Sequence, residues 1–296
     1  MTLKAFLLIF ASVFMHAAWN FMSKKESPTA AFYMLAALAG TLFWLPWSFF
    51  SGIDLAALPG KFWAVFLISN FFEVLYFTAL AHGYRHGDIS LVYPLGRALP
   101  VLMIAGLTAA FHIGSTPSRI ALAGMGIIFA GCVIMPLGSW REMRVRTYCT
   151  RVLFWVLMIA AGTTGYTIFD SMAMGALRNV PGRSELFKSL FYIFLVEAGV
   201  AVSMLPVLFR REARREMKKI SVTWFPYAAG IFSASAYVLI LLAMNEVSNV
   251  SYLQAFRQMS LPLGMLAGVF FLRESCSPPK VVGIVLLVAG LVMTCF

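Results

Sequence analysis

The sequence predicts an all-α integral membrane protein: ten transmembrane helices, arranged as two inverted five-helix repeats around a central cavity. Three observations carry this. The chain of 296 residues is 61% hydrophobic and only 12% charged, whereas a soluble domain is about half apolar and a quarter charged. The apolar residues come in runs of about 20, the length that crosses a bilayer as a helix. Polar groups that are costly in hydrocarbon recur at matching places in the two halves. Arg97 closes Ser90-Leu-Val-Tyr-Pro-Leu-Gly-Arg97, and Arg257 closes Ser251-Tyr-Leu-Gln-Ala-Phe-Arg257.

The spans run roughly 3–22, 29–50, 61–83, 88–112, 119–137, 151–175, 186–209, 222–244, 249–272 and 279–296. The first begins with Lys4 and the apolar stretch Ala5 to Met15, which has the look of a signal peptide. Nine further spans follow, so it is read as a retained helix. Lys24-Lys25-Glu26-Ser27-Pro28 separates spans one and two, and Leu58-Pro59-Gly60-Lys61 opens span three. Strongly basic connectors, Trp140 to Arg151 and Arg210 to Lys219, follow spans five and seven. Backbone polar groups in lipid must be satisfied internally, so these runs are helices rather than open strands.

The repeat extends beyond the arginines. Tyr76 and Tyr237 each open the stretch that leads to an arginine helix. Each half closes alike, with Pro117-Ser-Arg119, Gly124 and Gly131 in the first and Pro278-Pro-Lys280, Gly283 and Gly290 in the second. Glycines seven apart share a face and allow close helix packing. Asn20 in span one corresponds loosely to Asp170 in span six, each preceded by an aromatic residue, Trp19 and Phe169. The organisation is therefore a first repeat over 1–137, a basic connector over 138–150 and a second repeat over 151–296, within one membrane domain. An odd number of helices per repeat inverts the second half, and inverted repeats place a substrate site near the midplane where the halves meet.

The stretch Phe271-Leu-Arg-Glu274-Ser-Cys-Ser-Pro-Pro-Lys-Val-Val-Gly283-Ile-Val-Leu-Leu-Val-Ala-Gly290 resembles the closing motif of the EamA family of the drug/metabolite transporter (DMT) superfamily. Gly87-Asp-Ile-Ser-Leu-Val-Tyr-Pro-Leu-Gly-Arg97 and His16-Ala-Ala-Trp19-Asn20 resemble one branch of that family. The resemblance covers the whole chain. It implies ten helices around a cavity lined mainly by spans 1, 3, 4, 6, 8 and 9, and metabolite export. One departure is that the first half has Ser115 where the second has Glu274.

Arg97 and Arg257 lie about nine and eight residues into their spans, roughly 12–13 Å deep at 1.5 Å per residue. Ser90, Tyr93 and Arg97 share one helical face, as do Ser251, Gln254 and Gln258, with Arg257 on their flank. Two polar stripes carrying guanidinium groups suit a carboxylate or phosphate. The alternative is a structural role, each arginine neutralised by a nearby carboxylate. Glu73 lies mid-span in the third run, where a carboxyl group is protonated, paired or part of a proton pathway. Asp170 either joins that pathway or caps a helix end in water. Glu197, mid-span in the seventh run, is read as structural because its helix is peripheral in the resemblance. The expected substrate-binding residues are thus Arg97, Arg257, Tyr93, Ser90, Tyr76, Trp19, Asn20, Gln254, Gln258 and Tyr237, with Glu73 and Asp170 coupling to protons. Among the scattered histidines, His16 is the one to test, since its helix lines the implied cavity.

No Gly-x-x-x-x-Gly-Lys-Ser/Thr loop occurs, which leaves ATP-driven transport unsupported. No catalytic set has a recognisable spacing, and the four cysteines form neither Cys-x-x-Cys nor a pattern with histidine. The chain is therefore expected to be a transporter rather than an enzyme, with no cofactor and no metal. The leading expectation is a secondary active exporter of a small polar metabolite with a carboxylate or phosphate-type group, amino-acid-like or related. The alternatives are a carrier of cationic or quaternary ammonium compounds, held by acids and aromatic rings, and an intramembrane enzyme or lipid-handling protein. The partners are a small-molecule substrate, the lipid bilayer and protons, with monomer and homodimer both open. Net charge is +11, but the bases sit in short membrane connectors rather than a nucleic-acid-binding patch. Fifteen of the 23 Lys and Arg lie in odd-numbered connectors, and six lie at the N-terminus and in even ones. Bases prefer the cytoplasm, so both termini of this inner- or plasma-membrane protein are expected outside.

Overall fold

The computed structural model describes residues 2–26, 29–86, 89–143, 152–181, 183–263 and 276–296; the side chains at 24 and 89–91 fall outside the description. Among the described residues every regular element is helical. The α-helices are α1 (Leu3–Glu26), α2 (Ala30–Phe49), α3 (Gly60–His86), α4 (Ile89–Ala110), α5 (Arg119–Ile134) and α6 (Val152–Arg178). They continue with α7 (Glu185–Met204), α8 (Arg211–Ile220), α9 (Phe225–Met244), α10 (Val250–Arg257) and α11 (Pro278–Met293). Seven of them, α1–α4, α6, α7 and α9, are long and apolar enough to cross a membrane. α5 and α11 are shorter apolar helices. The chain is therefore a helical, multi-pass membrane protein by length and composition.

Polar side chains set several helix starts. Thr29 accepts from Phe32 N at α2, Ser118 from Ala121 N at α5, Asn249 from Ser251 N at α10 and Ser277 from Lys280 N at α11. Asn249 does more, donating to the carbonyls of Ile113 and Ser115 and so tying the start of α10 to the end of α4.

The helices pack in pairs: α3 with α6, α1 with α9, α5 with α11, α2 with α7, while α4 crosses α10 and lies along α6 and α5. The α5–α11 pair meets on the four glycines singled out from the sequence. A Cβ on Gly124 would stand 2.7 Å from the carbonyl oxygen of Gly290, and one on Gly131 would stand 2.5 Å from that of Gly283. At α3–α6, a Cβ on Gly162 would stand 2.8 Å from Tyr76 N.

The connectors sort onto two faces. On one, Lys4 Nζ meets Glu246 Oε1 at 2.7 Å, Arg183 N donates to Ser51 O, Ser115 N to Ser248 O, and Arg178 Nε to Asn245 Oδ1. On the other, His82 stacks on Trp155, Lys25 lies over Phe225, and Ser277 Oγ donates to Leu137 O. The second face carries the basic helix α8.

One element departs from the sequence expectation. Span nine was read as continuous from 249 to 272, but α10 stops at Arg257. Gln258 and Met259 form a turn, and helical backbone resumes over 260–263. Pro262 explains the break: it lacks the N–H that would bond the carbonyl of Gln258, and its ring crowds that carbonyl. Residues 264–275, which hold the start of the closing motif and Glu274, lie outside the described residues.

Candidate functional site

A cavity opens where α1, α3, α6, α7, α9 and the end of α10 meet. Its charged walls are Glu73 on α3, Glu197 on α7 and Arg257 at the end of α10, with His16 on α1. Trp19, Tyr76, Tyr166 and Tyr237 supply aromatic faces, and Ser233 a hydroxyl. Tyr76 and Tyr237 meet Tyr166 edge-on at 5.7 and 5.8 Å between centroids, forming a three-ring wall.

Glu73 and Glu197 are 6% and 8% exposed. Among the described residues neither makes a hydrogen bond or an ion pair. Carboxyl groups in this position either hold a proton or face a cation that comes and goes. Glu197 also borders a smaller apolar pocket with Phe32, Tyr33 and Gly230. It fits there because α2 presents Gly40: a Cβ at that position would lie 3.0 Å from the Glu197 carboxyl carbon. The expectation that the helix of Glu197 is peripheral is corrected by this placement. α7 contributes to the cavity, whereas no described α4 side chain lines it.

The two arginines are used differently. Arg257 is 7% exposed and faces the cavity. Its guanidinium carbon lies 5.7 Å from the centre of the Tyr237 ring, and Nη1 reaches Gln254 Oε1 only at 3.4 Å. Arg97 is turned to the helix crossing. Its Nη2 donates to the carbonyl of Arg257 at 2.9 Å, its Nε to Gln258 Oε1 at 3.4 Å, and its guanidinium lies over Tyr93. Gln258 Nε2 in return donates to Arg97 O at 3.2 Å and to Gln254 O at 3.0 Å. Ser260 Oγ also donates to the carbonyl of Arg257, at 3.0 Å, and the Arg97 cation there opposes the negative end of the helix dipole. The step of 161 residues that separates Arg97 from Gln258 also takes Tyr76 to Tyr237 and Ser90 to Ser251. In register, therefore, the partner of Arg97 is Gln258, not Arg257. No described carboxylate forms an ion pair with either arginine.

His16 joins the two arrangements. Trp19 Nε1 donates to its Nδ1 at 2.9 Å, which puts the proton of the neutral ring on Nε2. That Nε2 abuts Arg97 Nη1, another obligate donor.

Asp170 is fully buried, but it has partners. The hydroxyls of Ser69, Tyr192 and Tyr237 all donate to its carboxylate, so α3, α6, α7 and α9 converge on it. It is buried about two turns before the end of α6, not at a helix end in water, which removes the helix-cap reading. It stands behind the cavity, with Tyr237 between.

Of the expected binding residues, Arg257, Tyr76, Trp19 and Tyr237 line the cavity together with Glu73. Arg97, Tyr93, Gln254 and Gln258 belong to the crossing beside it. Asn20 donates to His16 O at 2.7 Å and braces α1. The side chain of Ser90 lies outside the description. Sequence reasoning passed over Tyr166 and Ser233, which carry no signal beyond their place in apolar runs.

No family model matches the chain, and no curated protein matches it. Among solved structures, one described only as the crystal structure of a protein aligns over 98% of this chain and 96% of its own, with a TM-score of 0.59 at 16% identity. At that identity the likeness is one of fold alone.

Proposed function

We propose that the chain is a secondary active transporter, working as an exporter, of a small polar metabolite with a carboxylate or phosphate-type group, amino-acid-like or related. The observation that carries this reading is Arg257: a buried guanidinium faces the cavity with no described carboxylate to neutralise it. Guanidinium groups bind such anions through a planar fork, and His16 lines the same cavity. Glu73 and Glu197, buried and unpartnered, are the groups that exchange protons with the solvent and so couple transport to a proton gradient. Asp170 supports them through Tyr237. No step of covalent catalysis belongs to this scheme.

The reading extends to architecture. The ten-span inverted repeat is supported by the pairing of helices, because exchanging the two halves turns α1–α9 into α6–α3 and leaves α2–α7, α4–α10 and α5–α11 as they are. It also fits the resemblance to the EamA family. The excess of bases on the face bearing α8 supports a cytoplasmic position for that face and an outside position for both termini. A fluorescent protein fused after Phe296 stays dark in that orientation; bright fluorescence in correctly inserted protein reverses it.

The experiment is a panel of metabolites tested for thermal stabilisation of the purified protein, because a ligand that binds only the folded state raises apparent stability. Hits are then followed as flux in proteoliposomes with and without a pH gradient. Stabilisation by carboxylates or phosphates, with gradient-driven flux, supports the proposal. Stabilisation by quaternary ammonium compounds alone favours a second reading, a cation carrier. That reading rests on the two free carboxyl groups and the Tyr76, Tyr166 and Tyr237 wall.

A further inference from the structure

The connector helix α8 plays no part in the cavity, and its two faces differ sharply. Ala213, Glu216, Met217 and Ile220 recur at helical spacing and turn inward, with Ala213 and Ile220 buried. Met217 and Ile220 join the apolar cluster that holds Phe32 and Leu35 of α2. The outward face holds Arg211, Arg214, Arg215, Lys218 and Lys219, all exposed, against one exposed acid, Glu212. Arg210 precedes them, and Lys25 lies close by over Phe225. Among the described residues none of these bases makes an ion pair; Arg214 donates only to the carbonyl of Leu208.

Large apolar side chains flank this basic face at both ends. Phe209 is 84% exposed before α8, and Val222 and Trp224 are 85% and 61% exposed after it. A helix with a basic outer face bounded by exposed Phe and Trp is at home in the plane where headgroups meet acyl chains. Trp favours that same depth.

We infer that α8, with Phe209 and Val222–Trp224, is a membrane-surface platform that binds anionic phospholipid headgroups. The apolar residues at its ends seat in the acyl boundary. The unpaired bases between them take the phosphates, each base adding attraction to a negatively charged leaflet. Because Met217 and Ile220 pack into the cluster shared with α2, headgroups held on α8 stabilise the α2 side of the bundle. This inference does not depend on what the cavity transports.

The test uses the full chain reconstituted in phosphatidylcholine alone or with phosphatidylglycerol mixed in, and it reads the apparent melting temperature. Wild type is expected to melt several degrees higher with phosphatidylglycerol, and high salt is expected to erase the difference. Joint replacement of Arg211, Arg214, Arg215, Lys218 and Lys219 by Gln should abolish the lipid effect while leaving the melting temperature in phosphatidylcholine near wild type. Arg141→Gln, an exposed base elsewhere, should leave the lipid effect intact. Equal melting temperatures for wild type in both lipids would overturn the inference, as would a lipid effect that persists in the five-residue variant or in high salt. If inorganic phosphate added to the phosphatidylcholine sample reproduces the whole stabilisation, the site is one for free phosphate and the lipid assignment falls. The wild-type lipid and salt comparison decides the matter even if the variant fails to insert.

Discussion

Arg97 and Arg257 come from look-alike segments, yet one belongs to a closed region and the other to an open one. At the α4–α10 crossing, Arg97, Gln258 and the end of α10 satisfy one another. Asp170 is closed in the same sense, with three hydroxyl donors. In the adjoining cavity, Glu73 and Glu197 are as buried but make no described hydrogen bond, and Arg257 meets Gln254 and Tyr166 without a described carboxylate in an ion pair. Buried polar groups are costly unless hydrogen-bonded. A closed region spends its polar groups on holding helices together. An open one leaves them unsatisfied until something else arrives, and that is where the transported molecule and the proton belong.

The comparison predicts opposite phenotypes. The largest expected effect is on coupling in the open region. Glu73→Gln should remove the pH dependence of flux in proteoliposomes while the protein still inserts and melts near the wild-type temperature. A pH profile that overlays the parent would move the proton role to Glu197 or Asp170. Next comes the closed region. Arg97→Ala removes a charged donor from the Arg257 carbonyl, leaving it Ser260 Oγ, and also the bond to Gln258 Oε1, so stability should fall by about 1–3 kcal/mol. Asp170→Asn should also destabilise, since one amide cannot accept from all three hydroxyls as the carboxylate does. Either variant melting as wild type would break the distinction. The smallest effect lies outside both regions. The hydrogen bond from Lys4, joined by Thr2, holds the Glu246 carboxyl below its ordinary range. Its contribution is present above the ordinary carboxylate pKa and is lost as pH falls through the lowered one. Lys4→Ala should therefore slightly lower stability at neutral pH, flatten the acid limb of a stability–pH curve and leave stability unchanged below the lowered carboxyl pKa.

The helices were legible in the sequence because hydrocarbon allows little else. Close packing at Gly124, Gly131, Gly283 and Gly290 was legible too, because glycines at that spacing share one helix face, but that the two pairs meet each other was not. The roles of the two arginines were not, since depth in a span is the same for a capping group and a binding group. The register did hold a clue: stepping from Ser90 to Ser251 lands Arg97 on Gln258. Pro262 likewise marked the break in span nine. Glu197 sat mid-span in plain view, but its cavity position depends on Gly40 of a different helix. No local pattern connects those two residues.

The central claim is that Arg257, and not the crossing beside it, meets the transported molecule. The direct measurement is ligand-induced thermal stabilisation of Arg257→Gln, using the carboxylate or phosphate compound that most stabilises wild type. The account predicts that the unliganded variant melts near wild type and gains nothing from the ligand. A variant that the ligand stabilises as much as wild type would contradict it.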